Sequence, residues 1–248
     1  MRFIYVIPVY NEADQVKRLV EQLRPFLKQQ KGSAVWLADN GSTDGTWERV
    51  EKLRGENPGL VEGVRLGEKG QGRAFRAAMS ELNRRGIEPE TRIVFSAADL
   101  PFGFSDVECV ITRDLKQDLV IGSKAHPRSS GGRGWKRRLM SFAYRNLRFV
   151  LLGMSTRDPQ GSLIFRASFL PLYERCYAVD FFFTTQLVYF MECEGASVME
   201  IPVDTRPDFR PSRVNPLRDG WRVFKQIFAF ARQQGRVPRP TEHHLLPS

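Results

Sequence analysis

Apolar residues in the first half of the chain fall into short blocks separated by stretches of helical period. Phe3–Val9, Ala34–Asp39, Arg92–Ser96 and Leu119–Ser123 are runs of strand length. Between the first two, Val16, Leu19, Val20, Leu23, Phe26 and Leu27 recur at intervals of three and four, which predicts an amphipathic helix lying on a sheet. Thr43–Arg54 and Gly72–Arg85 read as two further helices. This alternation predicts an α/β fold with a mainly parallel, Rossmann-like sheet flanked by helices, and ligands beyond the carboxyl ends of its strands. Further along, Lys136–Leu152 and Leu217–Gln234 read as helices, the second with Trp221, Phe224, Ile227, Phe228 and Ala231 on one face. The Gly/Ser/Arg-rich stretch Pro127–Gly134 reads as a mobile loop, and the chain after Pro238, with His243 and His244, as a frayed tail.

Composition adds limits. A chain of 248 residues, 42% hydrophobic and 27% charged, is long enough for one sizeable core and too apolar for global disorder. Cys109, Cys176 and Cys193 are scattered and odd in number, so they read as reduced core residues and not as a disulfide or zinc framework. The longest apolar runs, Phe181–Met191 and Phe149–Met154, fall short of the roughly 18–20 residues a membrane span needs, and no signal peptide is recognised. A cytoplasmic chain, peripheral on a membrane at most, is expected. Net charge is +10, and it is localised. From Leu119 to Arg157 there are nine Lys/Arg and no acid; from Thr205 to Arg239, nine Lys/Arg face only Asp208 and Asp219, so the rest of the chain is net acidic. Local basicity points to an anionic partner: a phosphate, a membrane surface or nucleic acid.

Unusual residues follow the strands. Pro8-Val9-Tyr10-Asn11-Glu12 comes after the first, Asp39-Asn40-Gly41-Ser42-Thr43-Asp44-Gly45-Thr46 after the second, and Asp99-Leu100-Pro101 after Arg92–Ser96. A carboxylate at a strand end can hold a base edge or a ribose hydroxyl by charge-assisted hydrogen bonds. The same Asp-Asn-Gly-Ser can also be a plain turn, with Ser42 or Thr43 capping the next helix and Asp44 and Glu48 in its early turns. Gly67, Gly70 and Gly72 have the wrong spacing and place for a Rossmann or P-loop phosphate site.

Taken together, in this order and spacing, these segments resemble the family 2 glycosyltransferases of GT-A fold, and most closely the polyprenol- and dolichol-phosphate mannose or glucose synthases. Gly122-Ser123-Lys124, Asp158-Pro159-Gln160-Gly161-Ser162, Phe181–Leu187 and Glu200-Ile201-Pro202-Val203 extend the resemblance over about residues 3–215. It implies a nucleotide-diphospho-sugar transferase domain over 1–215, with a donor half (1–123) and an acceptor half (124–215), then a basic amphipathic helix (216–237) and a tail (238–248). It implies that Pro8, Tyr10, Glu12, Asp39 and Gly41 surround the nucleoside, with Gly70, Gln71 and Gly72 as a glycine-rich loop opening the third helix. Asp99 is then the catalytic and metal-motif aspartate, and Lys124, Arg137, Arg138, Ser141, Arg206 and Arg213 hold an acceptor phosphate.

The chain departs from that pattern in two places. Where the family has Asp-Ala-Asp-Leu, it reads Ala97-Ala98-Asp99-Leu100, so a Mg2+ or Mn2+ ion, which prefers about six oxygen ligands, keeps one aspartate of the usual pair. Where the family has acids in its late helix, the chain has Thr184 and Gln186. A phosphate acceptor suits this loss. Its second pKa is about 6, so at neutral pH it is already a nucleophile, whereas a sugar hydroxyl needs a general base. Arg138, Ser141, Arg145 and Arg148 share one face of Lys136–Leu152 and read as a basic acceptor stripe. The Leu217–Gln234 helix fits a membrane interface or the protein's own core equally. The expected activity is inverting transfer of a sugar from a GDP-mannose or UDP-glucose type donor to polyprenyl phosphate. The alternatives are a nucleotide-sugar binder with weak catalysis and an enzyme with a hydroxyl acceptor. Nucleic acid is not an expected partner, since no helix-turn-helix, zinc or RNA-binding signature is present.

Overall fold

A computed structural model describes residues 1–129, 135–204, 216–234 and 243–245, and the side chains of these except 135–140, 216–221 and 243–245. The elements run β1 (Phe3–Val9), α1 (Ala13–Gln29), β2 (Ala34–Asn40), α2 (Thr46–Glu56), β3 (Val61–Leu66), α3 (Gln71–Arg84), β4 (Arg92–Phe95) and α4 (Ser105–Thr112). They continue with β5 (Leu119–Ser123), α5 (Trp135–Leu152), β6 (Ser162–Arg166), a 3-10 segment (Ala167–Glu174), α6 (Phe182–Cys193), β7 (Val198–Pro202), α7 (Pro216–Gln234) and β8 (His243–Leu245). One eight-stranded sheet has the order β3-β2-β1-β4-β6-β5-β7-β8. Every pairing is parallel except those of β6 with β4 and β5.

Alternation along the strands builds two cores, one on each sheet face. In β1, Ile4 and Val6 face one way, towards Phe75 and Met79 of α3 and Leu187 of α6. Phe3, Tyr5, Ile7 and Val9 face the other, towards Val16, Leu19 and Leu23 of α1 and Val107 of α4. Ile93 and Phe95 of β4 belong to the first core, and Val94 to the second. Both faces of the central strands are therefore buried, which is why they read as continuous apolar runs.

The four expected strands are present at nearly the expected bounds. The edge strand β3 went unread because Val-Glu-Gly-Val-Arg-Leu interrupts its apolar residues with charges. Helix α2 starts at Thr46, not Thr43, because Gly45 at φ 85° holds the turn before it, and no side chain caps it. The expected frayed tail is corrected at His243–Leu245, which adds a parallel strand to β7. The expected apolar face of α7 is partly corrected too. Ile227 and Phe230 are buried, and Phe230 is ringed by Tyr177, Phe182, Tyr189 and Phe190. That face packs on the protein's own core. Among the described residues no helix is long and apolar enough to cross a membrane.

Candidate active-site cleft

The segments singled out in the sequence meet along one edge of the sheet, because β1, β2, β3, β4 and β5 all end there and β6, being antiparallel, begins there. At the β1 and β2 ends two loops are laced together. The Asn11 N–H donates to Ser42 Oγ (3.0 Å), and the Thr43 N–H donates back to Asn11 Oδ1 (2.9 Å). The Glu12 N–H donates to Thr46 Oγ1 (2.9 Å) and the Ala13 N–H to Asp44 Oδ2 (3.3 Å). Ser42 and Thr43 therefore tie loops together and do not cap α2; the Thr46 N–H goes to Asp44 Oδ1 (3.1 Å). Asn11 sits at φ 50°, a costly conformation for a non-glycine residue that this lacing holds in place.

Asp39 lies at the centre of this end and is fully buried. Its Oδ1 accepts the Ser42 N–H at 3.3 Å, while Oδ2 has no hydrogen-bond partner, and Arg65 Nε at the end of β3 stands 3.9 Å away. A buried carboxylate oxygen without a donor is costly unless a ligand supplies one. Tyr10 carries the Lys69 ammonium over its ring at 3.8 Å, and Pro8 is half-buried at the end of β1. Gly41, at φ 74°, passes so close to Glu68 that a Cβ would sit 3.0 Å from its carbonyl carbon.

The glycine-rich segment has a packing explanation. The Gly70 N–H donates to Asn40 Oδ1 and the Gly72 N–H to Val179 O, at 2.5 and 3.0 Å. A Cβ on Gly70 would lie 2.6 Å from Val179 O, and one on Gly72 would lie 2.3 Å from Ala178 O. These glycines let α3, with Gln71 at its start, press against residues 178–180.

At the other end of the cleft, the turn after β4 places Asp99 at the surface, with Leu100 at φ 44° buried behind it. Lys124 follows β5; its N–H donates to Asp158 Oδ2 (2.9 Å) and its ammonium lies 5.1 Å from the Phe102 ring. Gly122 and Gly161 cross in contact, a Cβ on Gly161 falling 2.2 Å from Gly122 O. The Gly-Ser-Lys and Asp-x-x-Gly segments thus lock each other beside the Asp99 turn.

A set of buried charges missed by the sequence reading holds residues 155–158. Arg148 is fully buried and donates to Thr156 O (3.0 Å) and Arg157 O (2.9 Å), its guanidinium 4.8 Å over the Tyr144 ring. Glu192 accepts from the Ser155 N–H, the Thr156 N–H and the Thr156 hydroxyl, and Glu200 accepts from the Arg157 N–H. Burial pushes the Glu192 carboxyl above its ordinary value, a shift that the bonds from Thr156 oppose. This corrects the expected stripe: Arg148 is a core clamp and not an acceptor ligand. The usable signal was an acid inside an apolar run, as in Phe190-Met191-Glu192-Cys193 and Val198-Met199-Glu200-Ile201.

In α6, Thr184 Oγ1 donates to Phe181 O, and buried Gln186 accepts the Tyr177 and Ala178 N–H groups through Oε1, at 3.0 and 2.8 Å. Neither offers a carboxylate. Of the expected acceptor residues, Ser141 is exposed on α5. Arg137 and Arg138 lie on α5 with side chains outside the description, and Arg206 and Arg213 lie outside the described residues. Among the described residues no group of three or more His, Cys, Asp or Glu could hold a metal ion. Asp99 with Ala97 beside it does not by itself fit a Mg2+ or Mn2+ cage.

A mainly parallel sheet with helices on both faces, the polar and charged segments Asn11–Ala13, Asp39–Thr46, Asp99 and Lys124 following its strands, defines an α/β chain of the kind that binds ligands at its strand ends. Residues 5–171 match the model of "Glycosyl transferase family 2", and the chain belongs to that family. It is 28% identical over 220 residues to the dolichyl-phosphate beta-glucosyltransferase of Saccharomyces cerevisiae, covering 80% of this chain and 65% of the relative. To the undecaprenyl-phosphate mannosyltransferase of Micrococcus luteus it is 26% identical over 162 residues, covering 64% and 63%. The chain thus spans just under two thirds of these relatives. Glucosyl-3-phosphoglycerate synthase of Mycobacterium tuberculosis, solved with Mn2+ and UDP, superposes with a TM-score of 0.63 at 17% identity, over 96% of this chain and 81% of that one. Mannosyl-3-phosphoglycerate synthase of Rubrobacter xylanophilus gives 0.60 at 15%, over 96% and 76%. The fold is the GT-A fold of these glycosyltransferases.

Proposed function

We propose that the chain transfers a hexose, with inversion, from a nucleotide-sugar to the phosphate of a polyprenyl phosphate. The observation that carries the donor half is Asp39, buried at the strand ends, whose Oδ2 accepts no hydrogen bond and faces the Arg65 cation at 3.9 Å. One acceptor without a hydrogen bond, beside the Arg65 cation, suits a base edge with one N–H flanked by carbonyls, the imide of uracil. Guanine presents two adjacent donors and would need Oδ1 to accept a second bond beside the one from the Ser42 N–H at 3.3 Å. A UDP-sugar is therefore the preferred donor of the GDP-mannose and UDP-glucose types.

The acceptor half rests on chemistry. Thr184 and Gln186 supply no general base, and an acceptor phosphate needs none. Its oxygen attacks the anomeric carbon in line; the new C–O bond forms as the bond to the diphosphate breaks, and the nucleoside diphosphate leaves with the electron pair. Asp99, Lys124, Arg137, Arg138, Ser141, Arg206 and Arg213 are the residues proposed around these phosphates. The basic ones stabilise leaving-group charge and position the acceptor. The two relatives, whose names specify dolichyl and undecaprenyl phosphate, support this acceptor class.

The second reading, a binder without transfer, draws on Ala97 in the metal motif. Transfer of labelled sugar from UDP- and GDP-hexoses to a short polyprenyl phosphate, with Mn2+ or a chelator, separates the two. Lipid-linked product from a UDP-hexose is expected. Thermal stabilisation by the nucleotide-sugar without any product sinks the transferase reading. Asp39→Asn is expected to weaken UDP-sugar binding by about ten- to a hundredfold, the loss of a hydrogen bond to a charged group. Unchanged affinity by calorimetry removes Asp39 from the nucleoside site.

A further inference from the structure

We infer that the outer face of α5 is a docking surface for an anionic phospholipid bilayer. The inner side of this helix is fully engaged. Tyr144, Leu147 and Leu151 pack against the core, Leu152 and Arg148 are buried, and the Tyr144 hydroxyl bonds to Thr185 of α6 at 3.1 Å. The opposite side is apolar and open: Phe142, Phe149 and Val150 are 60%, 57% and 76% exposed. Spacings of seven and eight residues place them on one side of the helix, with Arg145 and Asn146 in the same arc. Large apolar side chains clustered in water mark a binding surface.

Charge selects the occupant. The α5 segment itself has five Lys/Arg and no acid, with Arg148 buried and Arg145 in the exposed arc, so the helix that carries this face is net positive. A helix with apolar residues on one face and basic residues around it binds the headgroup layer of an anionic bilayer. A second copy would bring the same positive segment against itself, which like-charge repulsion opposes. The C-terminal helix α7, the other candidate, has buried Ile227 and Phe230 in its own core and leaves Phe228, 50% exposed, outside.

The location matters for the reaction. The same helix whose outer face meets the bilayer holds, through Arg148, the carbonyls of Thr156 and Arg157 beside Lys124 and Asp158. Docking on α5 therefore brings the acceptor end of the cleft to the lipid surface. This consequence rests on the polyprenyl-phosphate reading; the docking itself does not.

The test uses the full chain and flotation with vesicles of phosphatidylcholine alone or mixed with phosphatidylglycerol. The wild type is expected to float with the mixed vesicles and not with phosphatidylcholine alone. The double variant Phe142→Ser, Phe149→Ser is expected to bind the mixed vesicles about tenfold or more weakly, since interfacial binding scales with buried apolar area. Phe228→Ser is expected to bind as the wild type does. All three substitutions are at exposed positions, and an unchanged melting temperature confirms that the variants are folded. Wild-type protein that ignores mixed vesicles overturns the inference, as does a folded double variant that binds them undiminished. A wild-type dimer that the double variant dissolves into monomers also overturns it, by assigning the face to a second copy. Failure of the UDP-sugar to stabilise the protein, with vesicle binding intact, sinks the donor reading and leaves the docking surface standing.

Discussion

Replacing Gly72 by alanine separates the packing account of the glycine-rich segment from ordinary helix propensity. Gly72 lies in the first turn of α3, where propensity alone favours alanine by up to about 1 kcal/mol. Geometry says the opposite. The added Cβ would lie 2.3 Å from Ala178 O, 2.8 Å from Asp180 O and 2.8 Å from Phe183 Cβ. Two of these neighbours are backbone oxygens, so neither can swing aside as a side-chain end does. Relief requires α3 to back away from residues 178–180, which strains or breaks the 3.0 Å bond from the Gly72 N–H to Val179 O. Overpacking costs about 1–3 kcal/mol and the weakened hydrogen bond about 1 kcal/mol. Set against the propensity gain, the net loss is about 2 kcal/mol, or roughly thirtyfold in the folding equilibrium. Gly55 is the internal control: it too is helical, in α2, and a Cβ there meets nothing within 4 Å. Gly55→Ala is expected to be neutral or stabilising by up to about 1 kcal/mol. Urea unfolding of both variants, at unchanged m-value, is the assay. A Gly72→Ala protein as stable as the wild type refutes the close-packing argument and returns the segment to an open loop.

Two other outcomes test buried groups. Burial pushes the Asp106 carboxyl above its ordinary value, so between the unfolded and folded pKa values the folded state holds the extra proton and stability falls as pH rises. Relative to Asp106→Asn, wild-type stability is expected to decline with rising pH through that window and to level off below about pH 4; a flat or rising difference from urea titrations contradicts the burial argument. The Cys176 thiol is pushed up to about 12 by burial, whereas Cys109 and Cys193 are part-exposed. In the native protein Cys176 is expected to resist alkylation at neutral pH and to react only on unfolding; modification of Cys176 in the native state, mapped by mass spectrometry, contradicts it.

The parts of this chain that were legible in the sequence are those whose pattern is local. β1, β2, β4 and β5 are buried on both faces and read as apolar runs, and the residues that follow them mark the cleft because a parallel sheet leaves its strand ends open. What was hidden depends on partners far along the chain. Arg148 shares a helical arc with Arg145, yet it turns inward because the carbonyls of Thr156 and Arg157 and the ring of Tyr144 receive it. Ser42 and Thr43 look like caps until Asn11, thirty-odd residues earlier, claims their polar groups. Phe224 and Ile227 looked as fit for a membrane as for a core, and only the rings around neighbouring Phe230 decide between them. The cysteines, all read as reduced core residues, are free; Cys176 is buried, and Cys109 and Cys193 pack part-exposed against the two cores.

The two departures from the family pattern point in one direction when their surroundings are considered. Gln186 is fully buried and holds the backbone at Tyr177 and Ala178, on which the Gly70–Gly72 segment packs. A glutamate there could accept the same two bonds, but it would place a buried charge under a cleft proposed to gather a diphosphate and an acceptor phosphate. The amide keeps the scaffold and omits the charge. Ala97 likewise removes one carboxylate from the turn that presents Asp99. Each change lowers negative charge where, on the proposed reading, phosphates crowd together. Coulomb repulsion between like charges a few ångströms apart is worth several kcal/mol at protein-like dielectric, so omitting two acids alters the electrostatics of phosphate binding substantially. Under the proposed reading, the missing acids form, with the basic segment after β5, one adaptation to phosphate on both sides of the transfer, and they favour a phosphate acceptor.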